Sequence, residues 1–250
     1  MRWLSNHPQV NITVRQQFYF DLRKISAEKY AAQFPNCAER NCTGMVAIDG
    51  SVTYAMSPNV AERIKRELPN ANFIFLVRNP VERAISKFEM QLKDEPGRVA
   101  GLTFNEAVAF ALPRIKTIME RYEKMRTSPD EDIWEFVGRD SKSSGFTHSK
   151  PIFAGLYVHL LHPYLKLFPN SRFLFLSSSD MKQNPEAYGQ QVLEFLGLQP
   201  RDAPIERAYE LEHTEKPSEQ TLAQLADFYR PYNKLFNTMA KTDIDLDKPS

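Results

Sequence analysis

Two short, continuous apolar runs restrict the fold of this 250-residue chain more than any other feature of its sequence. They are Phe73–Val77 and residues 172–176, and each follows a Pro/Asn turn and precedes a helical pattern. Apolar residues that are continuous rather than alternating are typical of strands buried on both faces, as in a parallel sheet. Residues 45–48 and 10–14 are read as two further strands. The runs therefore predict a sheet whose strands are mainly parallel.

Helical patterns fill the intervals between these runs. They cover residues 59–68, 80–92, 104–125, 155–168, 185–196 and 219–239. Strands alternating with helices predict one α/β domain over residues 1–250, with a mainly parallel sheet flanked by helices. Ligands of such folds collect at the carboxyl ends of the strands. The polar stretch 127–150 has no clear period, and we read it as a variable insertion that faces a partner or a substrate.

Composition and charge exclude several classes of protein. The formal net charge is +1, which gives no whole-molecule attraction to nucleic acid or to a membrane surface. Any anion site must therefore be local, and no nucleic-acid partner is predicted. No run of 18 apolar residues occurs, so the chain as given is not predicted to contain a transmembrane helix. Nothing in the sequence requires a metal ion.

The two cysteines and two glycosylation sequons bear on the compartment. Cys37 and Cys42 cannot close a zinc site without other ligands; they form either a small disulfide loop or two free thiols, and both readings stay open. Asn11 and Asn41 each begin an Asn-x-Thr sequon and are candidate glycosylation sites. Together these features favour the lumen of the secretory pathway.

The segment with the clearest chemistry is residues 73–90, FIFLVRNPVERAISKFEM. Arg78 emerges at the carboxyl end of a strand, Asn79 suits the N-cap of the following helix, and Pro80 suits its first turn. The helix N-terminus and the fork of Arg78 are groups that bind phosphate. Ser86 leans back towards Arg78, since helical side chains point to the N-terminus. The residues alone also allow Arg78 to cap carbonyls and Ser86 to lie on a solvated face.

This strand-Arg-Asn-Pro-x-x-Arg-x-x-Ser pattern resembles the 3′-phosphate-binding motif of sulfotransferases that use 3′-phosphoadenosine-5′-phosphosulfate (PAPS). The resemblance implies that Arg78 and Ser86 hold the 3′-phosphate of PAPS. Further segments resemble that family in the same order, and Golgi-type carbohydrate sulfotransferases of the heparan sulfate group in particular: residues 5–10, 18–21, 49–54, 155–169 and 222–236. The resemblance also implies a P-loop NTPase-like sulfotransferase fold and the transfer of a sulfuryl group from PAPS to a carbohydrate hydroxyl. It implies no metal ion.

The chain also departs from the family pattern at its beginning. The family opens with a strand and a Lys-x-Gly-Thr-Thr/Ser loop around the 5′-phosphosulfate, and the 250 residues contain no such loop. We therefore expect a truncated chain, with that strand and loop encoded upstream of Met1, and a membrane contact only through an anchor there. The expected location is the Golgi lumen or secretory pathway, or the cytoplasm if the chain is complete as written.

A second departure concerns the catalytic base. Gln16 stands where the heparan sulfate group places a glutamate, and an amide cannot accept the proton of a sugar hydroxyl as a carboxylate can. Asp49 is the substitute candidate that we carry forward. Asp21 and His7 are further candidates.

Cationic side chains of the polar insertion are candidate ligands for the acceptor, since sulfated or uronic glycans are anionic. These residues are Arg139, Lys142, His148 and Lys150.

A catalytically inactive PAPS-binding protein is the main alternative to an enzyme, because both departures from the family pattern remove catalytic groups. A nucleotide kinase would need a Gly-x-x-x-x-Gly-Lys-Ser/Thr loop, which the sequence lacks.

Overall fold

The computed structural model describes residues 2–12, 19–20, 27–34, 44–57, 59–94, 101–125, 133, 146–200 and 216–248. Its strands form two parallel pairs. The strands are β1 (Val10–Ile12), β2 (Val46–Ile48), β3 (Phe73–Val77) and β4 (Phe173–Ser177). β1 pairs with β2 and β3 pairs with β4, both in parallel. The prediction of parallel strands is confirmed.

Helices connect and flank these strands. They are α1 (Arg2–Ser5), α2 (Ala27–Ala31), α3 (Val60–Glu67), α4 (Pro80–Asp94), α5 (Phe104–Met125), α6 (Phe146–Phe153), α7 (Tyr157–Leu167), α8 (Ser178–Gln183), α9 (Pro185–Phe195) and α10 (Glu219–Ala240). Side chains cap the N-termini of several helices. At α10 the Ser218 hydroxyl accepts from the Thr221 N–H at 3.2 Å, and at α9 the Asn184 side chain accepts from the Ala187 N–H at 3.2 Å. Such caps satisfy N–H groups that have no partner inside the helix.

The register of β3 and β4 places their carboxyl ends at one edge. Val77 lies opposite Ser177, so the residue after β3, Arg78, lies at the edge where β4 also ends. Burial along β3 is uneven: Val77 is buried, whereas Leu76 is 53% exposed. The expectation that this run is buried on both faces is therefore wrong for Leu76. Its apolar side chain is left largely uncovered by the helices, although Leu176, opposite it on β4, is buried.

The main hydrophobic core lies among α4, α5, α6, α7 and α10. Its fully buried members include Phe153, Leu156, Tyr229 and Phe236. Gly155, between α6 and α7, allows these helices to approach closely. A Cβ at Gly155 would lie 2.9 Å from the Pro80 Cβ and 2.9 Å from two ring atoms of Tyr229. Glycine at 155 thus lets the first turn of α4 pack directly against α10 and the α6–α7 junction.

No helix in the described ranges is both long enough and apolar enough to cross a membrane.

Candidate functional site

The end of β3 is held by a buried tyrosine from α7. The Arg78 backbone N–H donates to the Tyr157 hydroxyl at 3.3 Å, and that hydroxyl donates to the Arg78 carbonyl at 3.0 Å. Tyr157 is 9% exposed, and its burial raises the pKa of the phenol, which keeps the hydroxyl protonated and able to donate. One side chain therefore fixes both backbone groups of Arg78.

The Arg78 side chain is oriented by an acidic partner one helical turn further along. Its Nε donates to Glu82 Oε2 at 3.1 Å, and the two side chains are 28% and 23% exposed. Within the described residues, the two terminal nitrogens of Arg78 make no hydrogen bond. Because the guanidinium presents its donors as a planar fork, its outer edge can bind two oxygens of one phosphate.

Asn79 caps α4, as the sequence predicted. Its Oδ1 accepts hydrogen bonds from the N–H groups of Val81 at 2.9 Å and Glu82 at 3.2 Å. Its Nδ2 donates to the carbonyl of Asp247 at 3.2 Å, so the cap is also tied to the C-terminal end of the chain. The first turn of α4 is thus rigidly placed directly after Arg78, with the partial positive charge of a helix N-terminus.

Ser86 lies in the second turn of α4, on the half-exposed side of the helix that also carries Glu82 and Arg83. The opposite side is buried and includes Ala84 and Phe88. The Ser86 hydroxyl makes no hydrogen bond to the described part of the chain, whereas Arg83 donates to the Pro151 carbonyl at 3.3 Å. Ser86 therefore lies in the second turn of the helix that begins two residues after Arg78.

Asp49 follows β2 and accepts four hydrogen bonds. Its Oδ1 accepts from the Ser51 N–H at 2.9 Å and the Ser51 hydroxyl at 2.6 Å. Its Oδ2 accepts from the Tyr54 hydroxyl at 2.7 Å and the Tyr30 hydroxyl at 3.1 Å. A carboxylate has about four lone-pair positions, so these donors occupy its accepting capacity. The geometry favours a structural role for Asp49, and its role as a base stays a prediction.

Two tyrosines that donate to Asp49 lie in an aromatic cluster with Tyr19 and Phe20. Tyr19 stacks on Tyr30 with ring centroids 4.3 Å apart, and Phe20 meets Tyr54 edge to face at 5.6 Å. Burial is the first cause that raises the pKa of Tyr30 and of Tyr54, and the nearby Asp49 carboxylate adds to it. Both phenols therefore stay protonated at neutral pH and act as donors to the carboxylate.

Two other candidates have structural surroundings. His7 is 4% exposed, and its ring nitrogens both have partners: Nδ1 accepts from the Gln9 N–H at 3.2 Å, and Nε2 lies 3.1 Å from the Gln199 carbonyl. Asn11 lies in β1 and is 2% exposed. A glycan is bulky and needs an exposed amide, so this burial argues against glycosylation at Asn11, which stays a prediction.

Of the candidate acceptor residues, two lie on α6. Lys150 is exposed on α6, and His148 belongs to the same helix, although its side chain lies outside the described residues. Other predicted residues lie wholly outside the described ranges: Gln16, Asp21, Cys37, Asn41, Cys42, Arg139 and Lys142.

Sequence reasoning missed two residues that shape the site, Tyr157 and Asp247. No local signal marks their roles, because each contacts the Arg78–Asn79 segment from a distant part of the chain. A cavity of about 1060 Å³ between α5 and α10 contains neither Arg78 nor Ser86. It is lined partly by Leu112, Met119 and Phe228 and lies apart from the predicted anion site.

Comparison with known proteins agrees with this arrangement. The family model described as "Sulfotransferase domain" matches residues 60–230, which include β3, Arg78 and α4. The chain is 24% identical to heparan sulfate glucosamine 3-O-sulfotransferase 6 of Homo sapiens, over 98% of this chain and 68% of that protein. It is also 24% identical to heparan sulfate glucosamine 3-O-sulfotransferase 3B1 of Mus musculus, over 99% of this chain and 61% of that protein.

The fold itself has a counterpart among solved structures. The crystal structure of a sulfotransferase from Alicyclobacillus acidocaldarius superposes with a TM-score of 0.68 at 20% sequence identity, over 97% of this chain and 90% of that one. The parallel strands flanked by helices are therefore those of the P-loop-like sulfotransferase fold. Since the family match covers well over half of the sequence and contains the strand-end arginine and its capped helix, the chain belongs to the sulfotransferase domain family.

Proposed function

We propose that this protein transfers a sulfuryl group from PAPS to a hydroxyl group of a carbohydrate. The observation that carries the proposal is the junction of β3 and α4. There the outer edge of the Arg78 fork has no partner in the described residues and lies beside a helix N-terminus capped by Asn79. The names of the similar proteins, heparan sulfate glucosamine 3-O-sulfotransferases, support a glycan acceptor. We extend the proposal to a lumenal location in the secretory pathway.

The proposed role of the junction is to hold the donor. Arg78 and Ser86 bind the 3′-phosphate, and this contact orients the nucleotide so that its sulfuryl group lies in line with the acceptor hydroxyl. The bond between sulfur and the bridging phosphate oxygen then breaks, and a bond between sulfur and the acceptor oxygen forms. The hydroxyl proton passes to a base, for which Asp49 is our candidate. Adenosine 3′,5′-bisphosphate leaves.

A protein that binds PAPS without transferring sulfate is the second candidate. The observation that favours it is the saturation of Asp49, whose four donors compete with an incoming hydroxyl. The two candidates share the 3′-phosphate site and differ only in chemistry. Transfer of sulfate to a heparan-type oligosaccharide, measured beside nucleotide binding, separates them.

The site is tested by the preference for adenosine 3′,5′-bisphosphate over 5′-AMP, measured by calorimetry. We expect the bisphosphate to bind more tightly, and Arg78→Ala to remove most of that preference. Loss of charge-assisted bonds worth about 1.5 to 3 kcal/mol corresponds to roughly a 10- to 150-fold weaker affinity. Arg66→Ala, at an exposed arginine of α3, is the matched control and should leave both affinities unchanged. Equal binding of the two nucleotides by the unaltered chain would rule out the assignment.

A further inference from the structure

The residues after α10 fold back against that helix. We define residues 242–248 as the C-terminal strap. α10 ends at Ala240. Lys241 follows as its C-cap, in the left-handed region with a φ of 52°, and the Thr242 N–H then donates to the Asn237 carbonyl at 3.1 Å. The Asn237 side chain donates to the Ile244 carbonyl at 2.9 Å, and Leu246 is 3% exposed in the main core. The strap is thus held by backbone, side-chain and apolar contacts.

Asp247 connects the strap to two different helices. Its Oδ1 accepts from Asn233 Nδ2 at 2.8 Å, and Asn233 is a 5% exposed polar residue of α10. Its backbone carbonyl accepts from Asn79 Nδ2 at 3.2 Å. The Asn79 amide is therefore used at both ends, with Nδ2 on the strap and Oδ1 on the first turn of α4. These contacts form a continuous path from α10, through the strap, to the helix N-terminus beside Arg78.

We infer that Asn233 and Asp247 are positioning residues for the nucleotide site, acting through the amide of Asn79; this inference rests on the proposed function. A planar amide that donates and accepts at fixed partners cannot rotate, so the contact with Asp247 keeps Oδ1 directed at the Val81 and Glu82 N–H groups. If the strap no longer holds its place, the Asn79 amide loses its contact with Asp247 and can rotate. The first turn of α4, which is proposed to hold the 3′-phosphate, then becomes less ordered. The strap thereby couples the C-terminal end of the chain to donor binding.

Positioning and charge predict opposite changes in phosphate affinity when the Asp247 carboxylate is removed. Removing the Asp247 carboxylate removes a negative charge from the end of α4 where a phosphate is proposed to bind. Coulomb attraction alone would then strengthen phosphate binding. Loss of positioning would weaken it. A weaker affinity therefore identifies positioning, and a stronger one identifies charge.

The test uses the full chain with Asp247→Ala, with Asp247→Asn and with Asp243→Ala. Asp247 is exposed, so its variants are expected to fold. Asp247→Ala should lower the preference for adenosine 3′,5′-bisphosphate over 5′-AMP by about 2- to 10-fold, the effect of one hydrogen bond. It should also speed hydrogen exchange at the Val81 and Glu82 amides. Asp247→Asn keeps an oxygen for Asn233 and should restore both measurements.

Asp243→Ala is the matched control, since it removes the same charge from an exposed strap residue that makes no hydrogen bond to the described residues. It should change neither measurement. Unchanged preference and exchange in Asp247→Ala would overturn the inference. If the unaltered chain binds both nucleotides equally, the proposed function fails, and the exchange rates still decide whether the strap positions α4.

Discussion

The four donors around Asp49 come from three residues, Ser51, Tyr54 and Tyr30, and they join β2 to α2 and to the turn at Tyr54–Met56. At the residue scale this matters because the same carboxylate is the candidate base. A base must lose a hydrogen bond, or share one, in order to take the acceptor's proton. A structural carboxylate instead contributes to stability by keeping all of its donors satisfied.

Asp49→Asn separates these roles. An amide offers one acceptor oxygen and adds two donors, so part of the network is left unsatisfied. If Asp49 is structural, we expect the free energy of unfolding to fall by about 1.5 to 3 kcal/mol in urea denaturation, with the nucleotide preference retained. Asp180→Asn, at an exposed aspartate of α8, is the control and should leave stability unchanged. Unaltered stability together with loss of sulfate transfer would instead identify Asp49 as the base.

At the scale of elements, the placement of α4 depends on the close approach permitted by Gly155. The neighbours that a Cβ would meet are the Pro80 ring, at the start of α4, and the Tyr229 ring, in α10. Tyr229 is completely buried, and its hydroxyl donates to the Ile152 carbonyl at 2.7 Å. Neither ring can move without disturbing the helix that carries it. A displacement at Gly155 would therefore shift the first turn of α4, which lies at the candidate site.

Gly155→Ala should therefore lower both stability and nucleotide preference. Overpacking of this kind costs about 1 to 3 kcal/mol, which thermal unfolding measures. Gly197→Ala is the contrasting control: Gly197 has a φ of 66° and open space around its Cα, so alanine there is strained but displaces no neighbour. That variant should lose stability while keeping the preference for the bisphosphate. Equal nucleotide preference in both variants would show that Gly155 does not position α4.

At the scale of the whole molecule, buried or partly buried tyrosines occur in all three hydrophobic clusters of the described residues. Burial is the first cause that raises the pKa of each of these tyrosines: Tyr30, Tyr54, Tyr157, Tyr188, Tyr229 and Tyr232. In the unfolded chain these groups lose their protons near pH 10, whereas in the folded chain they keep them to higher pH. The stability that they contribute is therefore fully present below pH 10 and is lost as the pH rises above it.

We expect the free energy of unfolding to be insensitive to these tyrosines between pH 7 and 9 and to fall above about pH 10. Each such group adds a slope of at most about 1.4 kcal/mol per pH unit. Denaturation at a series of pH values measures the slope. Tyr229→Phe removes one buried phenol and should make the decline shallower. An unchanged slope in that variant would contradict the contribution of Tyr229.

Sequence by itself determined the features that depend on neighbouring residues. The continuous apolar run predicted β3, because successive apolar side chains are typical of strands in a parallel sheet. Asn79 and Pro80 predicted the start of α4, since a cap bonds to amides two and three residues ahead. The order of strands and helices predicted a parallel α/β fold, and the motif around Arg78 and Ser86 indicated the family that the match over residues 60–230 establishes.

Only the tertiary structure decided the contacts between distant segments. Tyr157 lies 79 residues from Arg78, and Asp247 lies 168 residues from Asn79, yet each fixes its partner's position. The same holds for burial: Asn11 is enclosed and Leu76 is largely exposed, although both belong to predicted strands. Such outcomes depend on which helices pack over a strand and on how closely they approach. That packing balances many weak contacts from the whole chain, so no local pattern reports it.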